Sequence, residues 1–340
     1  MKNRIDWIDI ARFWGIVFIY LGHAGEASGN AYLWVFSFHV PLFFFLSGCV
    51  ESLNTRNLKD NLLHKFSTIL LPFYLFGILT ILFQAVRKNS FSVITKYTKI
   101  LLEGGIRNVF SIGSGLWFLS CLFVIQIAFS LIRKLKNKLL IFAVCLALHV
   151  FAVYGIQPNP LVEPHWYYNA DSACYYLVFY CLGWILFPLV HELLCTDRPK
   201  IKLLYGLLSV VCFVYSSLLF WKKDLLLPLD ANPVTHVIHN LATPMLTIFL
   251  VLSVSNLIQT GWQKRIGKST LYLCGNEFIA RKLVIEFASM FGLQIVIDNA
   301  VQACLYTLFL LELVCRLLIP LEKPVIEKMQ RLFCSITGNH

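Results

Sequence analysis

The chain has 340 residues, of which 58% are hydrophobic and 14% are charged, and its mean hydropathy is +0.71. Because a soluble domain carries about 25% charged residues, this composition excludes an ordinary water-soluble fold. The net charge of +11 is typical of a membrane protein with Lys- and Arg-rich cytoplasmic loops. No basic stretch has a DNA- or RNA-binding pattern, so nucleic acid is not an expected partner.

Long apolar blocks recur along the whole chain, and each is long enough, or nearly so, to cross a bilayer. Helices are the expected spanning form, since the blocks lack the alternation of a membrane barrel. We predict an all-α polytopic membrane bundle of about ten transmembrane helices, in a single domain over residues 1–340. The blocks lie near residues 7–22, 33–50, 66–86, 116–132, 139–156, 173–190, 203–221, 237–258, 270–292 and 298–319.

The distribution of basic residues predicts the orientation. If the N-terminus lies inside, most of the 29 Lys and Arg residues fall on the inside, so both termini are expected in the cytoplasm of a multi-pass plasma- or inner-membrane protein. Segment 87–115 holds most of the exceptions, and an amphipathic interfacial helix is expected around Phe91–Leu102. The outside loop 157–172 is rich in Pro, Trp and Tyr, and either covers a substrate site or forms an interfacial aromatic belt.

The cysteines predict neither a disulfide framework nor a metal site. They number 11, are scattered, and form no CxxC motif. Small buried hydrophobic side chains are the simplest interpretation, as for Cys49, Cys121, Cys145, Cys212 and Cys304. No permanently bound cofactor and no metal ion is expected.

The first block carries the residues that indicate chemistry. Arg12 and His23 are eleven residues apart, which is about three helical turns, so both side chains share one helix face. Asp9 lies one turn before Arg12 and is placed to neutralise it. Ionisable residues inside a span usually face a cavity or a partner. The alternative is that Asp9 and Arg12 lie at the cytoplasmic interface and extend toward water.

The second block reads Ser37-Phe-His39-Val-Pro41-Leu-Phe-Phe-Phe-Leu-Ser47-Gly48. His39 is interpreted either as part of a site or as an interfacial residue, with Pro41 starting a helix. Ser47 is either a supporting residue or part of a close-packing point between helices.

The ninth block contains two carboxylate–cation pairs with i,i+4 spacing, Glu277–Arg281 and Lys282–Glu286. They either neutralise one another in a buried helix or contribute to a site.

Taken together, the first two blocks resemble the membrane-bound acyltransferase-3 family, especially its fucose 4-O-acetylase-like branch. The family's hallmark is an Arg, ten residues and then a His in the first helix, which Arg12 and His23 match. Further similarity lies in Phe38–Gly48, in Lys65 with Leu71-Pro72-Phe73-Tyr74, in Gly115-Leu-Trp117-Phe-Leu119, and in Ile266-Gly-Lys-Ser-Thr-Leu-Tyr272. The chain departs from many members at Glu277, where they have His, and at Thr68, where they have Arg.

The resemblance implies O-acyl transfer, most often of acetyl from acetyl-CoA to a sugar hydroxyl. It implies that His23 is the general base and that Arg12 binds a donor phosphate or stabilises charge. Glu277 joins these two as a catalytic candidate. The candidates for binding the donor are Lys59, Lys65 and Arg281, and the supporting candidates are Asp9, His39, Ser47 and Trp117. Expected partners are acyl-CoA, a glycan or lipid-linked sugar acceptor, membrane lipid and a second copy of the chain.

Transport and lipid-linked glycosyl transfer are the alternative functions. A transporter uses intramembrane charges to line a permeation path, but it predicts inverted repeats and paired broken helices, which the sequence does not show. A lipid-linked glycosyltransferase requires acidic residues for metal or base chemistry near a loop, and acidic residues are few in the predicted outside segments.

Overall fold

The computed structural model describes residues 4–113, 115–226 and 232–337, and all of their regular secondary structure is helical. The all-α prediction is therefore confirmed. The α-helices are α1 Asp6–Gly22, α2 Ala31–Phe36, α3 His39–Glu51, α4 Leu58–Lys65, α5 Leu71–Lys88, α6 Ser92–Leu102, α7 Leu116–Ile132, α8 Lys138–Tyr154, α9 Ala170–Cys195, α10 Pro199–Trp221, α11 Pro233–Leu257, α12 Gly261–Lys268, α13 Thr270–Met290, α14 Ala300–Leu313 and α15 Ile319–Thr337.

Seven helical stretches of the described chain are long and apolar enough to cross a membrane, as expected of a polytopic membrane bundle. They are Ala31–Glu51, Leu58–Lys88, Leu116–Leu135, Tyr167–Cys195, Pro199–Trp221, Pro233–Leu257 and Ala300–Thr337. The three other predicted blocks coincide with α1, α8 and α13. Two of these helices have only 17 residues, and α13 carries four charged side chains. A total of ten membrane crossings therefore stays a prediction.

Several of the spans are interrupted. The second predicted block is broken at Ser37 and Phe38, where the Phe38 φ of −143° leaves the helical region. Pro41 then lies in the first turn of α3, where a missing backbone N–H leaves no helical hydrogen bond unmade. Two other spans contain π-helical turns, Phe66–Leu70 between α4 and α5 and Val314–Leu318 between α14 and α15.

The chain forms two compact units. The first unit contains the described residues within Met1–Ser52, Leu182–Thr270 and Val296–Leu311, and the second contains those within Leu53–Cys181, Leu271–Ile295 and Glu312–His340. The expectation of one domain over residues 1–340 stays a prediction. Each unit has its own apolar core, represented by Trp7, Phe38, Leu42, Phe45 and Ile248 in the first and by Phe73, Phe76, Phe110, Leu116 and Ile326 in the second.

In the second unit, α6 is the helix that was expected around Phe91–Leu102. It buries Val93, Tyr97, Ile100 and Leu101 on one side, with the i, i+3/i+4 spacing of an amphipathic helix. These side chains join the second core beside α5. Two of the five basic residues of segment 87–115, Lys96 and Lys99, therefore belong to an amphipathic helix that is packed against the protein.

Two loops of the second unit bind each other. The backbone N–H of Tyr168 donates to the Glu103 carbonyl at 2.9 Å. The Arg107 guanidinium donates to the Pro160 carbonyl at 2.6 Å, and the Asn108 amide donates to the Val162 carbonyl at 3.0 Å. Segment 87–115 and loop 157–172, both expected outside, thus lie at the same end of this unit.

The predicted topology is testable with single cysteines at two exposed positions of the second unit, Glu163 and Lys134. In a background without native cysteines, a membrane-impermeant maleimide should label Glu163→Cys on intact cells. It should label Lys134→Cys only after the membrane is permeabilised, because the basic loop 133–138 is expected inside. Equal labelling of the two variants on intact cells would refute the topology.

Candidate active site

Helix α1 carries Asp9 and Arg12, and His23 follows its last residue directly. His23 has helical dihedral angles, φ −74° and ψ −7°, and its backbone N–H donates to the Ile19 carbonyl at 3.0 Å. The helical register that begins at Asp6 therefore continues to His23. A separation of eleven residues in one register places Arg12 and His23 on the same face of α1.

Arg12 has a counter-charge on its own helix. Its guanidinium lies 3.4 Å from Asp9 Oδ1, and Arg4 Nε lies 3.6 Å from Asp9 Oδ2. The Asp9 side chain is 3% exposed, against 25% for Arg12 and 60% for Arg4. The predicted Asp9–Arg12 pair is thus confirmed, whereas the contribution of Arg4 was not predicted. A buried carboxylate between two cations lowers the cost of holding charge in an apolar helix.

Helix α12 holds α1 in place at Asp9. Gly267 packs so closely on α1 that a methyl group there would overlap the backbone carbonyl of Asp9 and come within 3.3 Å of the Phe13 nitrogen. Only a residue without a side chain permits this approach. Gly267 belongs to the C-terminal segment whose likeness to the acyltransferase-3 family was noted above, so packing against the Arg12 helix gives that segment a physical role.

Two further contacts fix α12 on α1. Lys264 Nζ lies 2.6 Å from Asp6 Oδ2, and the Phe13 and Trp262 rings meet edge to face at 5.0 Å. The first turn of α12 is closed by a capping box between Thr260 and Gln263, which satisfies backbone donors at the helix start. The position of Arg12 is therefore set by packing and charge from a second helix.

His39 is buried, with 4% of its surface exposed. Its Nδ1 lies 2.8 Å from the Val35 carbonyl. A carbonyl oxygen only accepts, so this hydrogen bond requires the proton on Nδ1 and leaves the Nε2 lone pair of the neutral ring as an acceptor. His39 thus presents a fixed tautomer at the start of α3.

The Phe36 ring contacts both imidazoles. Its centroid lies 5.0 Å from that of His39 in a perpendicular arrangement and 6.5 Å from that of half-buried His23. The last residue of α2 thereby links the end of α1 to the start of α3. Phe36 was not predictable as a contact of either histidine, because an aromatic residue in an apolar block gives no distinguishing signal.

The Ser47 hydroxyl donates to the Phe43 carbonyl one turn earlier in α3, at 2.8 Å. This bond satisfies the hydroxyl within its own helix. The packing interpretation of Ser47 fits this geometry better than a role in binding.

The other five candidates belong to the second unit. Glu277 is buried, with 1% of its side chain exposed, and its Oε1 lies 3.5 Å from Arg281 NH1, so the predicted Glu277–Arg281 pair is confirmed.

The predicted Lys282–Glu286 pair is wrong. Glu286 instead binds Arg87 at 2.6 Å, and the Lys282 ammonium lies over the Phe278 ring at 5.8 Å. Glu286 therefore pairs with Arg87 from α5, and not with Lys282 one turn away on its own helix.

Trp117 lies in the first turn of α7 beneath the paired loops. The Arg107 guanidinium covers its ring at 4.7 Å, and 8% of Trp117 is exposed. The preceding Gly115 approaches α13 closely, since a methyl group there would lie 2.8 Å from the Cys274 carbonyl oxygen. The Gly115-Leu-Trp117 segment therefore anchors α7 against the helix that carries Glu277.

The two lysine candidates differ in exposure. Lys59 is exposed on α4, whereas Lys65, at the end of the same helix, is buried with 4% of its surface exposed. Neither lies in the unit that contains Arg12 and His23.

The cysteines are free, and Cys49, Cys121, Cys145 and Cys212 are buried as predicted. Cys304 is exposed, which corrects the prediction for that residue. Val301, Leu305 and Phe309 of the same helix are exposed as well, as expected of a helix face turned toward lipid. Among the described residues, no group of three or more His, Cys, Asp or Glu side chains is arranged to hold a metal ion.

The contact at Gly267 generates a matched pair of variants on one helix. Gly267→Ala should destabilise the protein by at least about 1–3 kcal/mol, the cost of overpacking, because the added methyl group meets α1 backbone. Gly261→Ala, where a methyl group meets nothing within 4 Å, should leave the unfolding temperature in detergent unchanged. Equal unfolding temperatures for both variants and the parent would contradict the close packing of α12 on α1.

Comparisons with known proteins give one match. The acyltransferase-3 family model, described as an acyltransferase domain, matches residues 5–318. No curated protein and no solved structure matches the chain. The match runs from the residue before α1 through the second π-helical turn, and so includes the Asp9–Arg12 pair, both histidines, the Gly267 contact and the Glu277 helix. This chain belongs to the acyltransferase-3 family and is a membrane acyltransferase.

Proposed function

We propose that the protein is an O-acyltransferase that moves an acyl group, most simply acetyl, from acyl-CoA to a hydroxyl of a cell-envelope or exported glycan. Membership of the acyltransferase-3 family gives the class of reaction. The main support for acyl-CoA as donor and a glycan as acceptor is that Arg12 and His23 lie on one face of α1, with Arg12 neutralised by Asp9. A packing helix has no need of both groups in this register.

In the proposed step, His23 acts as the general base. Its ring accepts the proton of the glycan hydroxyl while the hydroxyl oxygen attacks the thioester carbonyl. The carbon–sulfur bond then breaks, and the proton passes from the imidazolium to the departing CoA thiolate. A neutral imidazole titrates near the working pH and suits both transfers. The half-buried position of His23 at the end of α1 leaves it accessible to a substrate.

Arg12 is assigned to the donor or to the charge that develops during transfer. A guanidinium forms paired hydrogen bonds with phosphate oxygens. With Arg12 held by Asp9 on one side, one quarter of its side chain remains exposed. On the predicted topology Arg12 is nearer the cytoplasm, where CoA is found, and His23 is nearer the outside, where an exported glycan would be. This order along α1 suits transfer across the bilayer.

His23→Ala should lower the rate of acyl transfer about a hundred- to ten-thousand-fold, the usual contribution of a general base. The assay uses protein purified in nanodiscs, labelled acetyl-CoA and a glycan extract, with the rate normalised to folded protein. Acetyl-CoA binding and the unfolding temperature should survive the change, since His23 is half-buried at a helix end.

His39→Ala is the informative partner variant, because His39 contacts the same Phe36 ring. Its rate should fall less than that of His23→Ala. A larger loss in His39→Ala, with His23→Ala retaining more than about a tenth of parental turnover, would transfer the base assignment to His39.

Arg12→Ala should weaken acetyl-CoA binding or turnover about tenfold or more, since a hydrogen bond to a charged group is worth about 1.5–3 kcal/mol. Arg4→Ala provides the control, because Arg4 pairs with the same carboxylate but is 60% exposed. Isothermal titration with acetyl-CoA and steady-state kinetics measure both effects. Indistinguishable kinetics for the two variants would remove Arg12 from the site.

A further inference from the structure

A groove opens in the second unit beside the π-helical turn Phe66–Leu70 and has a volume of about 660 Å³. Pockets that hold small molecules span about 300–1,000 Å³. The groove is lined by the side chains of His64, Ser67, Thr68, Glu327, Gln330, Arg331, Cys334 and Ser335.

The two walls of the groove are fastened to each other. Gln330 Nε2 donates to the Ser67 carbonyl at 2.9 Å, and the Phe66 and Phe333 rings stack at 4.9 Å. Ile326 anchors α15 in the second core, with 4% of its surface exposed. The groove is therefore built by specific contacts between α15 and the α4–α5 span.

The π-helical turn shapes one wall. The hydroxyls of Ser67 and Thr68 both donate to the His64 carbonyl, at 3.0 and 2.7 Å. Their oxygens remain able to accept hydrogen bonds from a ligand. Single π-helical turns in α-helices are frequent at functional sites.

The opposite wall supplies a guanidinium. Arg331 Nε donates to the Glu327 carbonyl of its own helix at 3.3 Å. Within the described chain, no carboxylate lies in ion-pair range of Arg331, whereas Glu327 is paired with Lys323 at 3.8 Å. The guanidinium of Arg331 thus gives this wall of the groove a positive charge.

We infer that this groove binds the phosphorylated nucleotide end of the acyl donor, with Arg331 and His64 contacting phosphate oxygens. The inference rests on the proposed function, which supplies acyl-CoA as the donor. Arginine binds phosphate through paired hydrogen bonds, and the remaining hydroxyl, amide and carboxylate groups offer partners for a ribose and a base. His64 precedes the predicted block 66–86 and Arg331 follows the predicted block 298–319, so both belong to segments predicted on the cytoplasmic side, where CoA is found.

The test measures CoA binding by full-length protein in nanodiscs of zwitterionic lipid. Arg331→Gln should weaken CoA binding about tenfold to a hundredfold, and His64→Gln should weaken it in the same direction. Lys328→Gln removes the same charge from an exposed position of α15 that does not line the groove, and it should bind CoA like the parent. In the parent, 3′,5′-adenosine diphosphate should compete with CoA, and pantetheine should not.

The outcomes separate this inference from the proposed function. If the parent fails to bind CoA, the proposed donor is wrong. If the parent binds CoA and both groove variants bind it as tightly as Lys328→Gln does, the groove assignment is overturned and the proposed function stands. A defect of Arg331→Gln that appears only in nanodiscs containing anionic lipid would identify a headgroup site and equally overturn the assignment. Unfolding temperatures confirm that the variants compared are folded, and His64→Gln tests the groove independently if Arg331→Gln does not fold.

Discussion

The architecture of the first unit depends on holding a charged arginine in a largely apolar helix. An uncompensated cation among apolar side chains is costly. Asp9, on the same helix, supplies the counter-charge, and Arg4 adds a second cation to the buried carboxylate. Such a group of charges is stable only where its geometry is fixed. The close packing of Gly267, the Lys264–Asp6 ion pair and the Phe13–Trp262 contact supply that rigidity.

Short-range contacts also position the groups at the end of α1. The helical register continues through His23, and the break after α2 brings Phe36 against both His23 and His39. The hydrogen bond from His39 to Val35 fixes its tautomer. Fixed orientation is what proton transfer requires, because a base acts only within hydrogen-bond reach of the proton that it accepts. In the proposed mechanism, reactivity therefore depends on short-range contacts among the end of α1, the end of α2 and the start of α3.

Local periodicity predicted a large part of this arrangement. The apolar blocks predicted the long helices, and the three-residue spacing predicted the Asp9–Arg12 pair, since both depend only on neighbours along one helix. Long-range partners were not predictable in this way. Glu286 pairs with Arg87, 199 positions away in the sequence, rather than with nearby Lys282. Periodicity does not specify tertiary packing. It therefore did not predict the pairing of Arg4 with Asp9, the contacts of Phe36 or the contact at Gly267.

The central claim is that this chain esterifies a glycan hydroxyl, with His23 as the base. Mass spectrometry of envelope glycans tests it most directly, by comparing cells with the gene, cells without it, and cells complemented with His23→Ala at equal protein level. The account predicts an acyl ester that is present with the parental gene, absent without it, and not restored by His23→Ala. Identical glycan spectra with and without the gene, or full restoration by His23→Ala, would contradict it.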